Sequence, residues 1–412
     1  MAKTDQYIAF EKQVTAQNYA PLPVVLTKGE GVYVWDVEER CYTDMMSAYS
    51  AVSHGHCHPR LLRVLQEQAS QLCITSRAFY SDTLAPFLDK LCQVSKMDMA
   101  LPMNTGAEAV ETAIKAARLW GYKHKNIEHG KAEIIVASNN FHGRTTTIVS
   151  FSSQEEYKHD FAPLSTGFVS IEFGDAKALE EAITENTCAF LVEPMQGEGG
   201  IIIPPAGWLK EVQQICQRHN VLLILDEVQT GLGRTGKMFA FEHEIDAPDG
   251  LVVGKALGGG VYPVSAFLGK KEVMELFTPG SHGSTFGGNP LAAAIGLEAL
   301  KIIEEEGLAF LSRQQGNYLM DKLNAIDSPM IKEVRGKGLW IGVVIDKQLA
   351  NAHDICLAMM QKGVLAKETH GNVIRFAPPL TITPEQLDSV LFVFKEVLSE
   401  IQGGRSDQEV SI

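Results

Sequence analysis

The sequence predicts an α/β fold: a large domain with a mainly parallel sheet between helices, followed by a smaller α+β domain. Between Glu133 and Leu268, short apolar runs rich in Leu and β-branched residues alternate with amphipathic stretches. Two runs end on a charge, since Val221-Leu-Leu-Ile-Leu leads into Asp226 and Leu251-Val-Val leads into Gly254-Lys255. After about residue 296 the order becomes helix, short strands, helix. The chain therefore divides into an N-terminal segment (1–49) packing with the small domain, a large domain (50–296) and a small domain (297–412), with 403–412 a polar, frayed tail.

In chain order, Gly31-Val-Tyr-Val-Trp-Asp36 alternates apolar and polar residues as a half-buried strand does. Ala51-Val-Ser-His-Gly-His-Cys-His-Pro59 is a loop, and its alternate histidines face opposite ways in an extended chain, which disfavours a metal site. Thr105 and Glu108 make a Thr-x-x-Glu capping box, and Val110, Ala113, Ile114 and Ala117 share one face, so a helix starts at Gly106. Its free amino-terminal amides suit a phosphate, although an ordinary capped helix is the commoner meaning of the pattern. The strand candidates are Glu133–Ser138, Thr147–Phe151, Cys188–Glu193, Val221–Asp226 and Val264–Leu268, with a helix marked by Trp208, Leu209, Val212, Ile215 and Cys216. Loops after strands carry possible recognition groups, Phe141-His-Gly-Arg144 and Glu193-Pro-Met-Gln-Gly-Glu198. Leu339–Ile345 and Val373–Phe376 read as strands of the small domain, and Thr383-Pro-Glu-Gln386 caps a last amphipathic helix running through Ile401.

In an open α/β sheet, ligands bind at the carboxyl edge of the strands, where Asp226 and Lys255 would both arrive. A lone Asp after a strand is more often a turn former, and a lone Lys is more often solvated. Together they suggest chemistry. A buried lysine loses part of its preference for the charged form, and a neutral amine forms a Schiff base with an aldehyde. Were that aldehyde pyridoxal phosphate, a carboxylate against the pyridine nitrogen would keep the ring able to accept electrons. A rival motif, Gly231-Leu-Gly233-Arg-Thr-Gly236, matches the dinucleotide G-x-G-x-x-G pattern. That fingerprint should follow its strand at once and open a helix, whereas Glu227-Val-Gln-Thr intervenes here.

With 412 residues, 45% of them hydrophobic and 21% charged, the chain has the composition of a soluble globular protein. No apolar run approaches the roughly 20 residues that span a bilayer. The opening Met-Ala-Lys-Thr-Asp-Gln resembles neither a secretory signal nor a transit peptide, and the expected location is cytoplasmic. Seven cysteines in mostly apolar or helical surroundings suggest reduced thiols. A net charge of −14 disfavours nucleic acid and anionic membranes as partners.

Several longer stretches carry a family resemblance. They include Asn18-Tyr-Ala-Pro-Leu-Pro-Val24, Gly55-His-Cys-His-Pro59, Met103-Asn-Thr-Gly106, Gly254-Lys-Ala-Leu257, Tyr262-Pro-Val-Ser-Ala266, His282-Gly-Ser-Thr285 with Gly287-Gly-Asn-Pro290, and Ile374-Arg375-Phe-Ala-Pro-Pro379. From about Tyr19 to Leu380 the chain resembles the class III (ω-amino acid) aminotransferases of the fold type I pyridoxal phosphate enzymes, and within them the ornithine aminotransferases. The resemblance implies that Lys255 is the Schiff-base lysine and proton carrier, and that Asp226 pairs with the ring nitrogen. It implies further that Gln229 bonds the ring hydroxyl, Phe141 stacks on the ring, and Gly106 with Ala107 binds the phosphate. Thr285 from the partner subunit of a homodimer would complete the phosphate cup. Two positions depart from the family pattern: His142 stands where Trp is expected, and Phe286 where Tyr is expected.

The resemblance also implies two substrates sharing one pocket, L-ornithine and 2-oxoglutarate. Arg144 matches the clamp for the ornithine carboxylate, Tyr19 the acceptor of its α-amine, and Tyr49 a wall of the site. Arg375 matches the arginine that binds the second carboxylate of 2-oxoglutarate, and Glu198 the glutamate that covers this arginine during the ornithine step. The implied reaction is ping-pong transfer of the δ-amino group through pyridoxamine phosphate, giving glutamate and a semialdehyde that cyclises to pyrroline-5-carboxylate. The nearest alternative is another ω-aminotransferase acting on N-acetylornithine, GABA or lysine. A pyridoxal phosphate mutase or lyase, which needs no separate oxo acid, and a non-catalytic protein on the same fold are more distant alternatives.

Overall fold

The computed structural model of the chain describes residues 2–409. The N-terminal strands are β1 (Leu26–Glu30), β2 (Tyr33–Asp36) and β3 (Cys41–Asp44). The central strands are β4 (Met99–Met103), β5 (Glu133–Ala137), β6 (Phe168–Ile171), β7 (Thr187–Val192), β8 (Leu222–Asp226), β9 (Gly250–Val253) and β10 (Ser265–Gly269). The last are β11 (Ile331–Gly336), β12 (Ile341–Ile345), β13 (Val364–Leu365), β14 (Lys367–Thr369) and β15 (Val373–Phe376).

Among the described residues the central strands form one sheet in the order β4-β10-β9-β8-β7-β5-β6. All pairings from β9 to β6 are parallel, and β10 is antiparallel to both of its neighbours. β10 is thus the one reversed strand of that sheet, which is mainly parallel as the sequence suggests. The apolar runs behave as expected: β7, β8 and β9 are buried at every position, as strands covered on both faces must be. β4 sits at the sheet edge, where Pro102 removes no needed donor.

The expected strand Thr147–Phe151 is instead a helical turn, Thr146–Val149. Thr145 Oγ1 accepts the Ile148 amide at 3.2 Å and starts the turn, while Ile148, Val149 and Phe151 are buried. Burial and β-branching made the run look like a strand, but a capped turn buries it as well. The expected helix starts are present. Thr105 N donates to Glu108 Oε2 (2.8 Å) and Glu108 N to Thr105 Oγ1 (3.2 Å), opening the helix Gly106–Lys123. Thr383 and Gln386 make the same reciprocal pair ahead of Pro384.

Two expected boundaries shift. The division at residue 296 falls inside a continuous helix, Pro290–Glu305. The last helix spans Pro384–Glu409, so the tail expected from Gly403 begins inside it; residues 410–412 lie outside the described residues. The N-terminal sheet takes its fourth strand from the other end of the chain, where β13 pairs in parallel with β3. No helix among the described residues is long and apolar enough to cross a membrane.

One side chain ties these parts together. Arg234 is fully buried; its Nη1 donates to the carbonyls of Leu339 (2.9 Å) and Pro378 (2.6 Å), and its Nη2 to Ser47 Oγ (3.3 Å) and Ser53 Oγ (3.1 Å). Burial pulls its pKa down to about 9. Asp44 Oδ1 accepts the amides of Met46 and Ser47 at 2.9 Å each. Together these contacts hold Ser47–Ser50 in a left-handed turn with φ of 44°, 48°, 58° and 72°. Non-glycine residues disfavour that region by about 1–2 kcal/mol each, so the turn depends on its supports. Arg234→Met leaves two buried carbonyls and two hydroxyls without their donor, and should lower the unfolding free energy by about 3 kcal/mol or more in a denaturant titration. A loss below about 1 kcal/mol would contradict this role for Arg234.

Candidate active site

Because β5, β7, β8 and β9 run parallel, the residues that follow them arrive at one edge. β8 ends on Asp226, β7 leads into Glu193, β9 into Gly254-Lys255, and β5 into the loop carrying Phe141 and His142. The helix Gly106–Lys123 begins at the same edge after β4. These segments enclose a cavity of about 200 Å³ lined by Gly106, Ala107, Phe141, Asp226, Gln229 and Lys255, together with His142, Gly143, Glu193, Val228 and Thr230.

The helix terminus is shaped for close approach. A Cβ at Gly106 would sit 3.0 Å from Val228 Cγ1, and one at Gly254 would sit 3.7 Å from the Gly106 Cα. Ser265 Oγ on β10 donates to the Thr105 carbonyl at 2.7 Å, fixing the approach to the helix. Glu108 gives its amide to Thr105, which leaves the amides of Gly106 and Ala107, two residues that line the cavity, without a helical partner, an arrangement that suits a phosphate.

Lys255 follows a nearly extended Gly254 and takes a left-handed φ of 46°. Burial lowers its pKa, against the pull of Glu198, Asp226 and Glu193, while Arg375 pushes in the same direction as burial. An amine of lowered pKa is more readily neutral, and a neutral amine is a nucleophile for an aldehyde. Asp226 is buried, with Oδ1 accepting the Val228 amide (3.0 Å) and Oδ2 bonded to His142 Nδ1 (2.7 Å). Glu193 accepts the amides of Phe141 (3.1 Å) and Gly197 (3.2 Å), and burial pushes its carboxyl up to about 7. These features fit pyridoxal phosphate: amides for the phosphate, a buried amine for the aldehyde, an acid for the ring nitrogen and a half-buried Phe141 for the ring face.

Beside this cavity, Arg375 Nη1 donates to Glu198 Oε1 at 2.6 Å. The arginine side chain is only 4% exposed and its Nε has no partner among the described residues. Its guanidinium lies 4.9 Å from the centre of the Tyr49 ring, on the left-handed turn. Gln229 Nε2 lies 3.5 Å from the Tyr49 carbonyl, a long contact. Arg144 is exposed, and its guanidinium is 3.6 Å from the Tyr157 ring centre and 5.6 Å from that of Phe141.

Two expected residues stand apart. Tyr19 is 77% exposed and lines a separate N-terminal groove with Ile8, Glu11 and residues 15–26. Thr285 is exposed, next to exposed Phe286, and does not line the cavity of its own chain. Glu193 and His142 were named in the sequence only as a loop residue and a departure, and both prove to be buried beside Asp226. Glu193 carries the same signal as Asp226, a carboxylate directly after an apolar run, whereas His142 lies beyond Ser138-Asn-Asn-Phe141 and carries no such signal.

The three loop histidines find structural partners. His54 Nε2 contacts the Ala299 carbonyl (3.0 Å), His56 bonds Asp44 (2.7 Å), and His58 caps the helix Pro59–Gln71. No cluster suited to a metal occurs among the described residues. The glycines of the rival dinucleotide motif serve packing: a Cβ at Gly231 would meet the Glu227 carbonyl at 2.8 Å, and one at Gly236 would meet Arg313 at 2.9 Å.

Because burial disfavours the ammonium form, Lys255 should lose its proton at a lower pH than an ordinary lysine, near 10.4. In cofactor-free protein, its labelling by a small aldehyde, followed by peptide mass, should rise with a midpoint below that of surface lysines. A midpoint equal to theirs would contradict the assignment.

The class-III aminotransferase family model matches residues 14–398. The ornithine aminotransferase of Geobacillus sp. is 54% identical over 401 residues, covering 97% of this chain and 100% of that protein. Among solved structures, the ornithine aminotransferase of Toxoplasma gondii, with PLP partly occupying its active site, superposes with a TM-score of 0.96 at 42% identity, covering 98% of this chain and 96% of that one. The acetylornithine aminotransferase of Elizabethkingia anophelis gives 0.89 at 48% identity, covering 96% and 99%. A family model spanning nearly the whole chain, matched by full-length relatives and by a fold that brings an amine, an acid and a helix terminus to one sheet edge, means that the chain belongs to the class-III aminotransferases.

Proposed function

We propose that this enzyme transfers the δ-amino group of L-ornithine to 2-oxoglutarate, with pyridoxal 5'-phosphate as cofactor, giving glutamate and glutamate 5-semialdehyde, which cyclises to pyrroline-5-carboxylate. The observation that carries the reading is the Arg375–Glu198 pair beside Lys255. When bound, pyridoxal phosphate supplies an aldehyde that accepts an amino group and a ring that accepts electrons. Lys255 Nζ would hold the aldehyde and carry a proton in the transfer, a task for which an amine of lowered pKa is suited. Asp226 would face the ring nitrogen, Gln229 would bond the ring hydroxyl, and the amides of Gly106 and Ala107 would hold the phosphate.

L-Ornithine and 2-oxoglutarate differ where they meet Arg375. Ornithine reacts through its terminal amine and offers no carboxylate next to the reacting carbon, so Glu198 keeps Arg375 neutralised. 2-Oxoglutarate brings a carboxylate there, and once Glu198 moves aside Arg375 can take it in a bidentate fork, through its two Nη groups or through Nη2 and the unpartnered Nε. At the far end, Arg144 takes the ornithine α-carboxylate, Tyr19 receives the α-amine and Tyr49 walls the site. Exposed Phe79 and Tyr80, with Phe286 beside Thr285, support a homodimer in which Thr285 completes the partner's phosphate cup. Tyr19 would also reach a substrate only in that assembled site.

The likeness to an acetylornithine aminotransferase makes N-acetylornithine the second reading. Purified protein with pyridoxal phosphate, 2-oxoglutarate and either amine decides between them. Ornithine should yield both glutamate and trapped pyrroline-5-carboxylate with little turnover of the acetylated compound; the reverse preference would overturn the proposal. Arg375→Ala should raise KM for 2-oxoglutarate roughly 100-fold and leave the ornithine half-reaction within a few-fold. Glu198→Gln should slow the ornithine half-reaction by roughly 10-fold without weakening 2-oxoglutarate, and unchanged rates in both half-reactions would exclude the switch.

A further inference from the structure

The two arginines of the site are held in opposite ways. Arg375 is paired with Glu198, so one carboxylate must leave before another can bind. Arg144 makes no hydrogen bond or ion pair among the described residues; its guanidinium carbon lies 3.6 Å from the centre of the Tyr157 ring and 5.6 Å from that of Phe141. At 3.6 Å an edge-on guanidinium, with C–N bonds of about 1.3 Å, would drive a nitrogen into the ring, so the two planes lie face to face. Such a contact uses the ring face and leaves every N–H pointing outward in the guanidinium plane. The cation is held, and all its donors stay free.

Both members of this pair are anchored. Thr145, next to Arg144, gives its hydroxyl to Glu111 on the helix Gly106–Lys123 and accepts the Ile148 amide. Tyr157 is half-buried at the end of the short helical turn Glu155–Tyr157, and its hydroxyl lies 3.3 Å from His370 Nε2, between β14 and β15. Thr369, the residue before His370, donates from Oγ1 to the Glu198 carbonyl at 2.8 Å. One hairpin therefore touches both the ring beneath Arg144 and the backbone of the counter-ion of Arg375.

We propose that Tyr157 is a positioning residue for the substrate carboxylate: its ring face holds Arg144 as an open clamp, with no counter-ion for the substrate to displace. The proposal rests on the reading above that Arg144 takes the ornithine α-carboxylate. A loose arginine would lose rotamer freedom on binding, and one stored on a carboxylate would have to break that pair first; a ring face avoids both. The two arginines thus differ in task. Arg375 is covered and uncovered as the substrates alternate, whereas Arg144 stands open throughout.

Tyr157→Leu removes the ring face and Tyr157→Phe keeps it. Tyr157→Leu should raise KM for L-ornithine roughly 5- to 10-fold while kcat stays within about two-fold and the absorbance of the bound cofactor is unchanged. Tyr157→Phe should keep KM within about two-fold, because the hydroxyl takes no part in the stacking. In an Arg144→Ala background, Tyr157→Leu should add nothing, since the ring then has no cation to hold. An unchanged KM in Tyr157→Leu, equal losses in Tyr157→Leu and Tyr157→Phe, or an undiminished further loss in the Arg144→Ala background would each overturn the proposal. A readout without substrate separates it from the ornithine reading. In protein with labelled arginine, the current of the Tyr157 ring should move the Arg144 Nε–H magnetic resonance signal upfield in the natural protein and in Tyr157→Phe but not in Tyr157→Leu; a signal indifferent to Tyr157→Leu would also overturn the proposal. If L-ornithine is not turned over while that signal behaves as expected, the ornithine reading fails and the Tyr157–Arg144 clamp stands.

Discussion

A lysine buried among carboxylates at the carboxyl edge of a parallel sheet is the constraint on which the rest of this structure depends. Lys255 feels Glu198, Asp226, Arg375 and Glu193 together, and of these charges Asp226, Arg375 and Glu193 are buried away from bulk water. Each is held by a specific partner: Asp226 by His142 and the Val228 amide, Glu193 by two backbone amides, and Glu198 by Arg375. Parallel pairing of β9, β8 and β7 brings Lys255, Asp226 and Glu193 to the same edge, so sheet topology and site chemistry are one arrangement. Reversing one of these strands would carry its charge to the opposite edge. The one reversed strand, β10, instead presents its amino end there, where Ser265 supports the entrance to the phosphate-sized helix terminus.

The supports extend beyond the sheet. Glu227, next to Asp226, accepts the amides of Ala240 and Phe241 at 2.7 Å each and a bond from Thr230 Oγ1 at 3.0 Å, so β8 and the loop after it are locked from below. Arg234 then joins that loop to the first fifty-odd residues and to the small domain, through Ser47, Ser53, Leu339 and Pro378. Arg375 on β15 and Tyr49 on the left-handed turn reach the site only because these connections hold. Arg375 and Tyr49 thus come to the site from β15 and the turn Ser47–Ser50, while Asp226, Glu193 and Lys255 come from the central sheet.

How much of this the sequence disclosed depends on whether a feature is local. Asp226, Lys255 and the capped helix at Gly106 were legible because an apolar run ending on a charge, and a Thr-x-x-Glu box, carry their meaning within a few residues. The turn at Thr146–Val149 was misread because a short buried run has no period long enough to separate strand from helix. β4 escaped notice because Pro102 argues against a strand unless its place at the sheet edge is known. Arg234 was hidden inside a nucleotide-like glycine pattern, and its four partners are scattered from Ser47 to Pro378. The Arg375–Glu198 pair spans 177 residues of chain, so only the family resemblance, not spacing, could name it in advance. His142 shows the reverse: it appeared as a departure from the pattern, and the fold turns the departure into a contact with Asp226.

The central claim is that Arg375 and Glu198 decide which end of the substrate meets Lys255. Isotopic tracing tests it most directly, using L-ornithine labelled on either the δ- or the α-nitrogen and following the label after one turnover with 2-oxoglutarate. The account predicts that label from the δ-nitrogen appears in glutamate, while label from the α-nitrogen remains in the cyclised product. Label from the α-nitrogen in glutamate would mean that the α-amine faces Lys255, and would contradict it.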